Sequence, residues 1–155
     1  MAGRIEARLS ELGITLPKAA APVANYVPWV VTGNLVFISG QGPMGPAGIE
    51  YKGKLGRDLE PGEGMKAARL TALNVLAQLK EAVGGDLDRV KRCVKLVGFV
   101  NSTPEFNQQP AVINGASDLM VEVFGDAGRH ARSAVSAPSL PVDIAVEVEA
   151  IFEIE

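Results

Sequence analysis

The chain is poor in the residues that build metal centres and covalent cross-links. Its 155 residues include one cysteine, Cys93, and one histidine, His130. A single cysteine cannot form an intrachain disulfide, and it excludes metal sites that need paired cysteines. Because zinc centres are built largely from several histidine and cysteine ligands, one of each also argues against zinc. We therefore expect no metal site.

The chain also lacks an excess of positive charge and a long apolar segment. Its formal net charge is −3, which does not favour nucleic acid as a partner. No apolar run approaches the length of a transmembrane helix, and residues 1–6 are amphipathic rather than signal-like. Shares of 47% hydrophobic and 21% charged residues are typical of a globular chain. We expect a cytoplasmic protein in which residues 1–155 form one domain.

Apolar residues at helical spacing predict two long helices and a short one. The clearest stripe follows Pro61, which suits the first turn of a helix, and stops at Gly84 and Gly85. The predicted helices span residues 4–12, 61–83 and 110–124.

Alternating and β-branched segments predict the strands. Tyr26–Val31 and Leu35–Ser39 flank Thr32-Gly33-Asn34, a hairpin turn. Gly40–Gly56 is rich in glycine and proline and is predicted to be a loop. Three more strands are predicted at residues 90–100, 131–137 and 144–154. In the first of these, alternation places Val94, Leu96, Gly98 and Val100 on one face.

The order of these elements after the first short helix is ββαβαββ, which predicts an α+β fold. Two helices would cover one face of a mixed sheet, and no further helix is left for the other face. We therefore expect copies of the chain to associate through that open face. A closed symmetric ring is one solution.

The last two predicted strands carry the charged groups that best suit chemistry. Arg132 opens the first strand, and Glu147 and Glu149 share one face of the second. Brought together, the guanidinium would hold a carboxylate through two hydrogen bonds and a glutamate would take or give a proton. Two plainer interpretations compete: a surface or interface ion pair of Arg132, with Glu147 or Glu149 as a candidate partner, and a solvated face formed by both glutamates. Spacing alone does not decide between them.

Several other residues have both a functional and a structural interpretation. Ser39-Gly40 ends the second strand, where glycine lets a ligand approach backbone N–H groups, although a plain turn explains it equally well. Tyr26 is either a hydrogen-bonding lid or a half-buried strand residue. His130 is expected to face solvent, and Cys93 is expected to be a core or flank thiol without a nucleophilic role. Trp29 is expected to serve packing rather than binding. No GxGxxG or Walker sequence predicts a phosphate site.

Several segments together point to a known family. They are the helix near 61–83, Phe106, Ile38-Ser39-Gly40-Gln41, Val97-Gly98-Phe99-Val100, Ala131-Arg132-Ser133, Leu140-Pro141 and Glu147-Val148-Glu149-Ala150. They resemble the RidA superfamily of reactive-intermediate deaminases, also called YjgF-like proteins and once named L-PSP endoribonucleases. The resemblance covers about residues 24–155, and Arg132 and Glu147 match the family spacing without a gap. The chain looks most similar to a longer-loop branch, because residues 1–20 form an N-terminal extension with a short helix and the 43–60 loop is long.

The resemblance implies a chorismate-mutase-like fold, assembled as a homotrimer with ligand clefts between subunits. It implies hydrolysis of short-lived enamines and imines to 2-keto acids and ammonia, without a metal or organic cofactor. By the same resemblance, Arg132 binds the substrate carboxylate and Glu147 positions the attacking water. Tyr26, Ser39 and the backbone of Gly40 are implied as further substrate contacts. The expected partners are copies of the chain and a small 2-imino or 2-keto acid, with neither nucleic acid nor membrane.

Two positions leave the substrate open. Many deaminating members have a cysteine two residues after the arginine, where this chain has Ala134. Asn114 is the candidate for an asparagine that the family places in the second helix, and the segment from it to Arg132 is slightly longer here. The alternatives are a non-catalytic carboxylate-binding or stress-related protein on the same scaffold and, with less support, an endoribonuclease.

Overall fold

A five-stranded mixed sheet carries both long helices on one of its faces. The computed structural model describes residues 3–22 and 24–155. The sheet has the strand order β1-β2-β7-β5-β6, and β3 pairs with β4 in a separate small hairpin. The helices are α1 (Arg4–Glu11), α2 (Pro61–Ala82) and α3 (Gln109–Phe124). The strands are β1 (Trp29–Thr32), β2 (Leu35–Gln41), β3 (Met44–Gly45), β4 (Gly48–Ile49), β5 (Val90–Asn101), β6 (Ala131–Ala137) and β7 (Val146–Ile154). The α+β prediction is confirmed.

The two ends of the sheet are connected in different ways. At one end, β1 and β2 form a hairpin in which Thr32 pairs with Leu35, so Gly33 and Asn34 make the turn. Gly33 has a φ of 59°, which glycine adopts without steric cost. At the other end, β6 runs parallel to β5, because α3 carries the chain back between them. Strand β6 is therefore an edge strand.

Helix α2 begins with a capping box. The Glu60 side chain accepts from the backbone at Glu63, and the Glu63 side chain accepts from the Glu60 N–H. Two polar side chains of α2 are buried and hold other segments in place. Asn74 donates to the carbonyls of Gly42 and Met44, and Gln78 donates to the carbonyl of Ala20. The buried amides thus anchor the long loop and the N-terminal extension, which satisfies their own hydrogen-bonding groups.

The N-terminal helix also packs on the body of the fold. Ile5 and Leu9 are buried in the common core. The Asp88 carboxylate accepts hydrogen bonds from the backbone N–H groups of Ile5 and Arg4, both at 2.9 Å, and these bonds lower its pKa. A carboxylate at this position satisfies free N–H groups in the first turn of the helix.

The core lies between the helices and one face of the sheet. On β7, side chains alternate between buried and less buried, as its sequence predicts. Val148 and Phe152 point into the core, whereas Glu147 and Glu149 lie on the opposite face. That opposite face, called the open face below, exposes apolar side chains. Val30, Phe37 and Val135 are 50%, 42% and 45% exposed there.

Three details of the strand prediction are wrong. Strand β1 begins at Trp29 rather than at Tyr26, because Pro28 has no N–H to donate to a sheet ladder. The segment predicted as a plain loop contains the β3–β4 hairpin. In β5, an irregularity in the pairing with β7 between Cys93 and Lys95 buries Cys93 and leaves Val94 half-buried.

Within residues 3–22 and 24–155, no helix is both long and apolar enough to cross a membrane.

Candidate functional site

Arg132 projects from the edge strand β6 towards helix α3. In the sheet it pairs with Leu96, which in turn pairs with Ala150, and both partners are buried on the helix-covered face. Residues directly opposite each other in a sheet share a face, so Arg132 lies on the helix side. Because β6 is an edge strand, the guanidinium is only half-buried.

The guanidinium of Arg132 is held by two neutral acceptors. Its Nη1 donates to the Ser117 hydroxyl at 3.2 Å, and its Nη2 donates to the Pro110 carbonyl at 3.4 Å. No carboxylate oxygen of the described residues lies within 4.0 Å of it. An arginine has more N–H donors than these two bonds use. The charge therefore has no carboxylate partner among the described residues, and donors remain for an anion.

Ser117 connects Arg132 to His130. The Ser117 Oγ lies 2.8 Å from His130 Nε2, and His130 Nδ1 lies 2.6 Å from the carbonyl oxygen of Gly128. Burial, followed by the charge of Arg132, lowers the pKa of His130, and the bond to Gly128 opposes that shift. The expectation that His130 faces solvent is wrong. Packing against α3 half-buries the ring, because the residue precedes β6 on its helix side.

Two predicted contact residues lie beside Arg132. Asn114 is four residues after Pro110 and three before Ser117 on α3, so it shares a helix face with both partners of the guanidinium. Ala134 is two residues after Arg132 on β6 and therefore shares its face of the sheet. We call Arg132, Ser117, His130, Asn114 and Ala134 the arginine cluster.

Glu147 lies on the open face, not on the helix side. It pairs with Phe99 of β5 and is half-buried, and its neighbour on that face, Glu149, is exposed. Burial is the main cause that raises the pKa of Glu147, and the charge of Glu149 raises it further. Its carboxylate accepts no hydrogen bond from the residues that the structure describes. A carboxylate in this condition binds a proton more readily than an ordinary one.

Gly40 lies directly against the Glu147 carboxyl. A Cβ placed on Gly40 would come within 2.9 Å of Glu147 Cδ. The pairing of β2 with β7 is irregular between Ile38 and Gln41, which brings this part of β2 over the glutamate. Only a glycine fits there without moving the carboxyl group.

Ser39 and Tyr26 lie next to Gly40. The Ser39 hydroxyl donates to the Val27 carbonyl at 2.7 Å, which fixes the segment before β1 against β2. Tyr26 is 50% exposed, and it lines a cavity of about 210 Å³ together with Pro28 and Gly40. We call Glu147, Glu149, Gly40, Ser39 and Tyr26 the glutamate cluster.

The chain does not bring the two clusters together. Strand β5 lies between β6 and β7, so their backbones are about 10 Å apart at the spacing of paired strands. More decisively, Arg132 and Glu147 point to opposite faces of the sheet. An ion pair between Arg132 and Glu147 or Glu149 of the same chain is therefore excluded, whereas an ion pair across an interface between copies stays a prediction. One small ligand cannot contact both groups of the same chain.

The other sequence candidates are structural. Cys93 is fully buried, and burial raises the pKa of its thiol to about 12, so it is not a nucleophile at neutral pH. Trp29 packs against the core. Among the residues that the structure describes, no group of three or more histidine, cysteine or acidic side chains could hold a metal ion.

Comparison with solved structures gives the fold class first. A protein of unknown function from Agrobacterium tumefaciens superimposes with a TM-score of 0.91 at 52% identity, over 97% of this chain and 92% of that one. The family model described as "YjgF/chorismate_mutase-like, putative endoribonuclease" matches residues 6–154. The chain therefore belongs to the YjgF/chorismate mutase-like family.

Two curated relatives complete the comparison. Protein TCP17 of Trypanosoma cruzi is 52% identical over 98% of this chain and 95% of its own length. A 2-iminobutanoate/2-iminopropanoate deaminase of Dermatophagoides farinae is 29% identical over 92% of this chain and 95% of its own length. The family thus includes an imine deaminase that aligns along nearly the whole chain.

Proposed function

We propose that this protein hydrolyses short-lived 2-imino acids and their enamine forms to 2-keto acids and ammonia. The observation that carries the proposal is the state of Arg132: its guanidinium is oriented by two neutral acceptors and has no carboxylate partner among the described residues. Such a group is prepared to bind the carboxylate of a small acid through parallel hydrogen bonds. The deaminase of Dermatophagoides farinae supports the reaction class.

In this proposal Glu147 acts on water. Its raised pKa favours acceptance of a proton, which suits a general base that works near neutral pH. The water oxygen attacks the imine carbon while Glu147 takes a proton from the water. That proton then passes to the substrate nitrogen, which gives a carbinolamine. The hydroxyl proton of the carbinolamine moves to the nitrogen as the carbonyl forms and the carbon–nitrogen bond breaks, so ammonia leaves and the 2-keto acid remains. Imines hydrolyse readily, so positioning and one base suffice.

The proposed active site needs two copies of the chain. Because Arg132 and Glu147 lie on opposite faces of one sheet, the arginine cluster of one subunit must meet the glutamate cluster of another. The exposed apolar side chains Val30, Phe37 and Val135 on the open face support association through that face. We propose a closed homotrimer, in which each arginine cluster finds one glutamate cluster and no cluster is left over.

The remaining candidate residues would line this proposed cleft. Asn114 and Ala134 would line the side next to Arg132, and alanine at position 134 leaves room for the substrate side chain. Tyr26, Ser39 and the backbone of Gly40 would contact the substrate from the side of Glu147. The proposal requires no cofactor and places the reaction in the cytoplasm.

Two alternatives keep the same scaffold. A non-catalytic binder of small carboxylates would use Arg132 but would have no need for the raised pKa of Glu147. RNA cleavage receives little support, because the net charge is −3 and the one histidine is already committed to Ser117 and Gly128.

A coupled assay tests the proposal. A serine or threonine dehydratase generates 2-imino acids, semicarbazide traps them, and the protein competes with the trap. We expect the wild-type protein to suppress semicarbazone formation. Arg132→Ala should reduce the rate of imine hydrolysis in this assay by about a hundredfold, since it removes charged hydrogen bonds to the substrate. Arg129→Ala is the matched control, because Arg129 is exposed and pairs with Asp126.

The outcomes separate the alternatives. Equal suppression by wild type and Arg132→Ala would contradict the assigned role of Arg132. If wild type does not suppress the trap but binds 2-oxobutanoate, and Arg132→Ala does not bind it, the protein is a carboxylate binder and the deaminase proposal is wrong.

A further inference from the structure

We propose that His130 is a positioning residue that, acting through Ser117, holds the Arg132 guanidinium in the orientation that binds the substrate carboxylate. This inference rests on the proposed function, because the orientation matters only if Arg132 binds a ligand. The two residues lie on different elements. Ser117 is on α3, and His130 immediately precedes β6. They meet because α3 packs against the edge of the sheet.

The directions of the hydrogen bonds that link Gly128, His130, Ser117 and Arg132 all follow from the bond between His130 and Gly128. A carbonyl oxygen has no proton, so at 2.6 Å from Gly128 O the Nδ1 of His130 must be the donor. In the neutral ring the proton is then on Nδ1, and Nε2 is an acceptor. The Ser117 hydroxyl at 2.8 Å therefore donates to Nε2. Its oxygen lone pairs are left to accept from Nη1 of Arg132, as the 3.2 Å distance indicates.

The chemical identity of the group that accepts a hydrogen bond from Arg132 matters as much as its position. An aspartate or glutamate beside Arg132 would also fix the guanidinium, but it would neutralise the charge and compete with the substrate carboxylate. A serine backed by a neutral histidine fixes the side chain and leaves its charge available. Burial and the charge of Arg132 both lower the pKa of His130, which keeps the ring neutral.

Holding the arginine reduces the cost of binding. Arg132 extends from an edge strand and is half-buried, so without a partner it would sample several rotamers. The bonds to Ser117 and to the Pro110 carbonyl select one orientation along α3 before a ligand arrives. Preorganisation of this kind favours ligand binding without adding a contact to the ligand.

The first test is a spectroscopic one that does not depend on activity. His130 is the one histidine of the chain, so its ring nitrogens need no assignment. Long-range proton–nitrogen NMR at neutral pH should show a single neutral tautomer with the proton on Nδ1. A proton on Nε2, or rapid averaging between both tautomers, would overturn the proposal.

The second test uses paired substitutions. His130→Leu and Ser117→Ala remove the acceptor and the hydroxyl, whereas His130→Gln keeps an acceptor near the position of Nε2. We expect the first two to raise KM for the imino acid, and Kd for 2-oxobutanoate, by about tenfold with a smaller change in kcat. His130→Gln should remain within about threefold of wild type. Ser10→Ala, an exposed serine on α1, is the control.

These readouts keep the two proposals apart. Wild-type KM and Kd in His130→Leu, or equal losses in His130→Leu and His130→Gln at matched melting temperatures, would show that His130 does not position Arg132. That result would leave the deaminase assignment untouched. Absence of both imine hydrolysis and 2-oxobutanoate binding in wild type would contradict the proposed function, while the tautomer measurement would still report on the hydrogen-bond chain.

Discussion

The arginine cluster and the glutamate cluster control a charged group in different ways. In the arginine cluster, Arg132 is held by hydrogen bonds to Ser117 and Pro110, so its geometry is set inside one chain. In the glutamate cluster, Glu147 accepts no hydrogen bond from the described residues, and its properties come from burial and from the charge of Glu149. The surroundings thus fix the orientation of Arg132, whereas they raise the pKa of Glu147.

In the proposed reaction, this difference would give the two clusters separate tasks. A carboxylate clamp needs direction, because two parallel hydrogen bonds fix the orientation of the bound acid. A base that acts on water needs a suitable pKa and a free lone pair more than a fixed partner. The opposite faces of the sheet supply the two environments: packing against α3 provides acceptors, and the open face provides partial burial next to a like charge.

The largest effect is expected from Glu147→Gln, which removes the base and keeps the shape. Activity in the dehydratase-coupled assay should fall by about 100-fold or more, while binding of 2-oxobutanoate through Arg132 remains. A fall in binding equal to the fall in activity would place Glu147 in ligand binding instead.

The same substitution should stabilise the fold at neutral pH. The pKa of Glu147 is raised above its ordinary value of 4.5 in the folded state, so the fold disfavours the charged form. This penalty is present at neutral pH and disappears as the pH falls below the ordinary pKa, where the group is protonated in both states. Calorimetry should show a Tm about 1–2 °C higher for Glu147→Gln at pH 7 and no difference at low pH. A lower Tm at pH 7 would contradict the assigned environment.

A smaller effect is expected from Gly40→Ala. The added methyl group would displace the Glu147 carboxyl, since the Cβ position lies 2.9 Å from Cδ. We expect a loss of about tenfold in kcat/KM with little change in Tm, because the displaced group is the end of a flexible side chain. Gly62→Ala is the matched control, since its Cβ would meet nothing within 4 Å. Equal activities of the two variants would show that the position of the carboxyl is not critical.

The smallest effect is expected from Glu149→Gln, which removes only the charge repulsion between Glu149 and Glu147. Activity that requires a charged Glu147 is lost as the pH falls through its raised pKa. Without the charge of Glu149, this acid limb of the pH–rate profile should move to lower pH, with little change at neutral pH. Glu153→Gln is the control, because Glu153 lies further along β7 and its carboxylate accepts a hydrogen bond from the Asn34 side chain. Identical shifts in both variants would indicate a general charge effect.

The sequence predicts the parts of this account that depend on local periodicity. The alternation along β7 places Glu147 and Glu149 on one face, and the apolar stripe after Pro61 predicts α2 to within one residue. It does not show that Arg132 and Glu147 lie on opposite faces, because the relation between two strands depends on their pairing with β5. The sequence does not identify Ser117 for the same reason, because its contacts with Arg132 and His130 form only where α3 packs against β6.

The central claim is that the active site combines Arg132 of one subunit with Glu147 of another. Co-expression of Arg132→Ala and Glu147→Gln chains, followed by purification of mixed trimers, tests it directly. Each variant alone should be nearly inactive. If the trimer is a closed ring, about one third of the clefts in the purified mixed trimers should combine an intact arginine with an intact glutamate, and activity should return to about that fraction of wild type. Mixed assemblies as inactive as either parent would contradict a site shared between subunits.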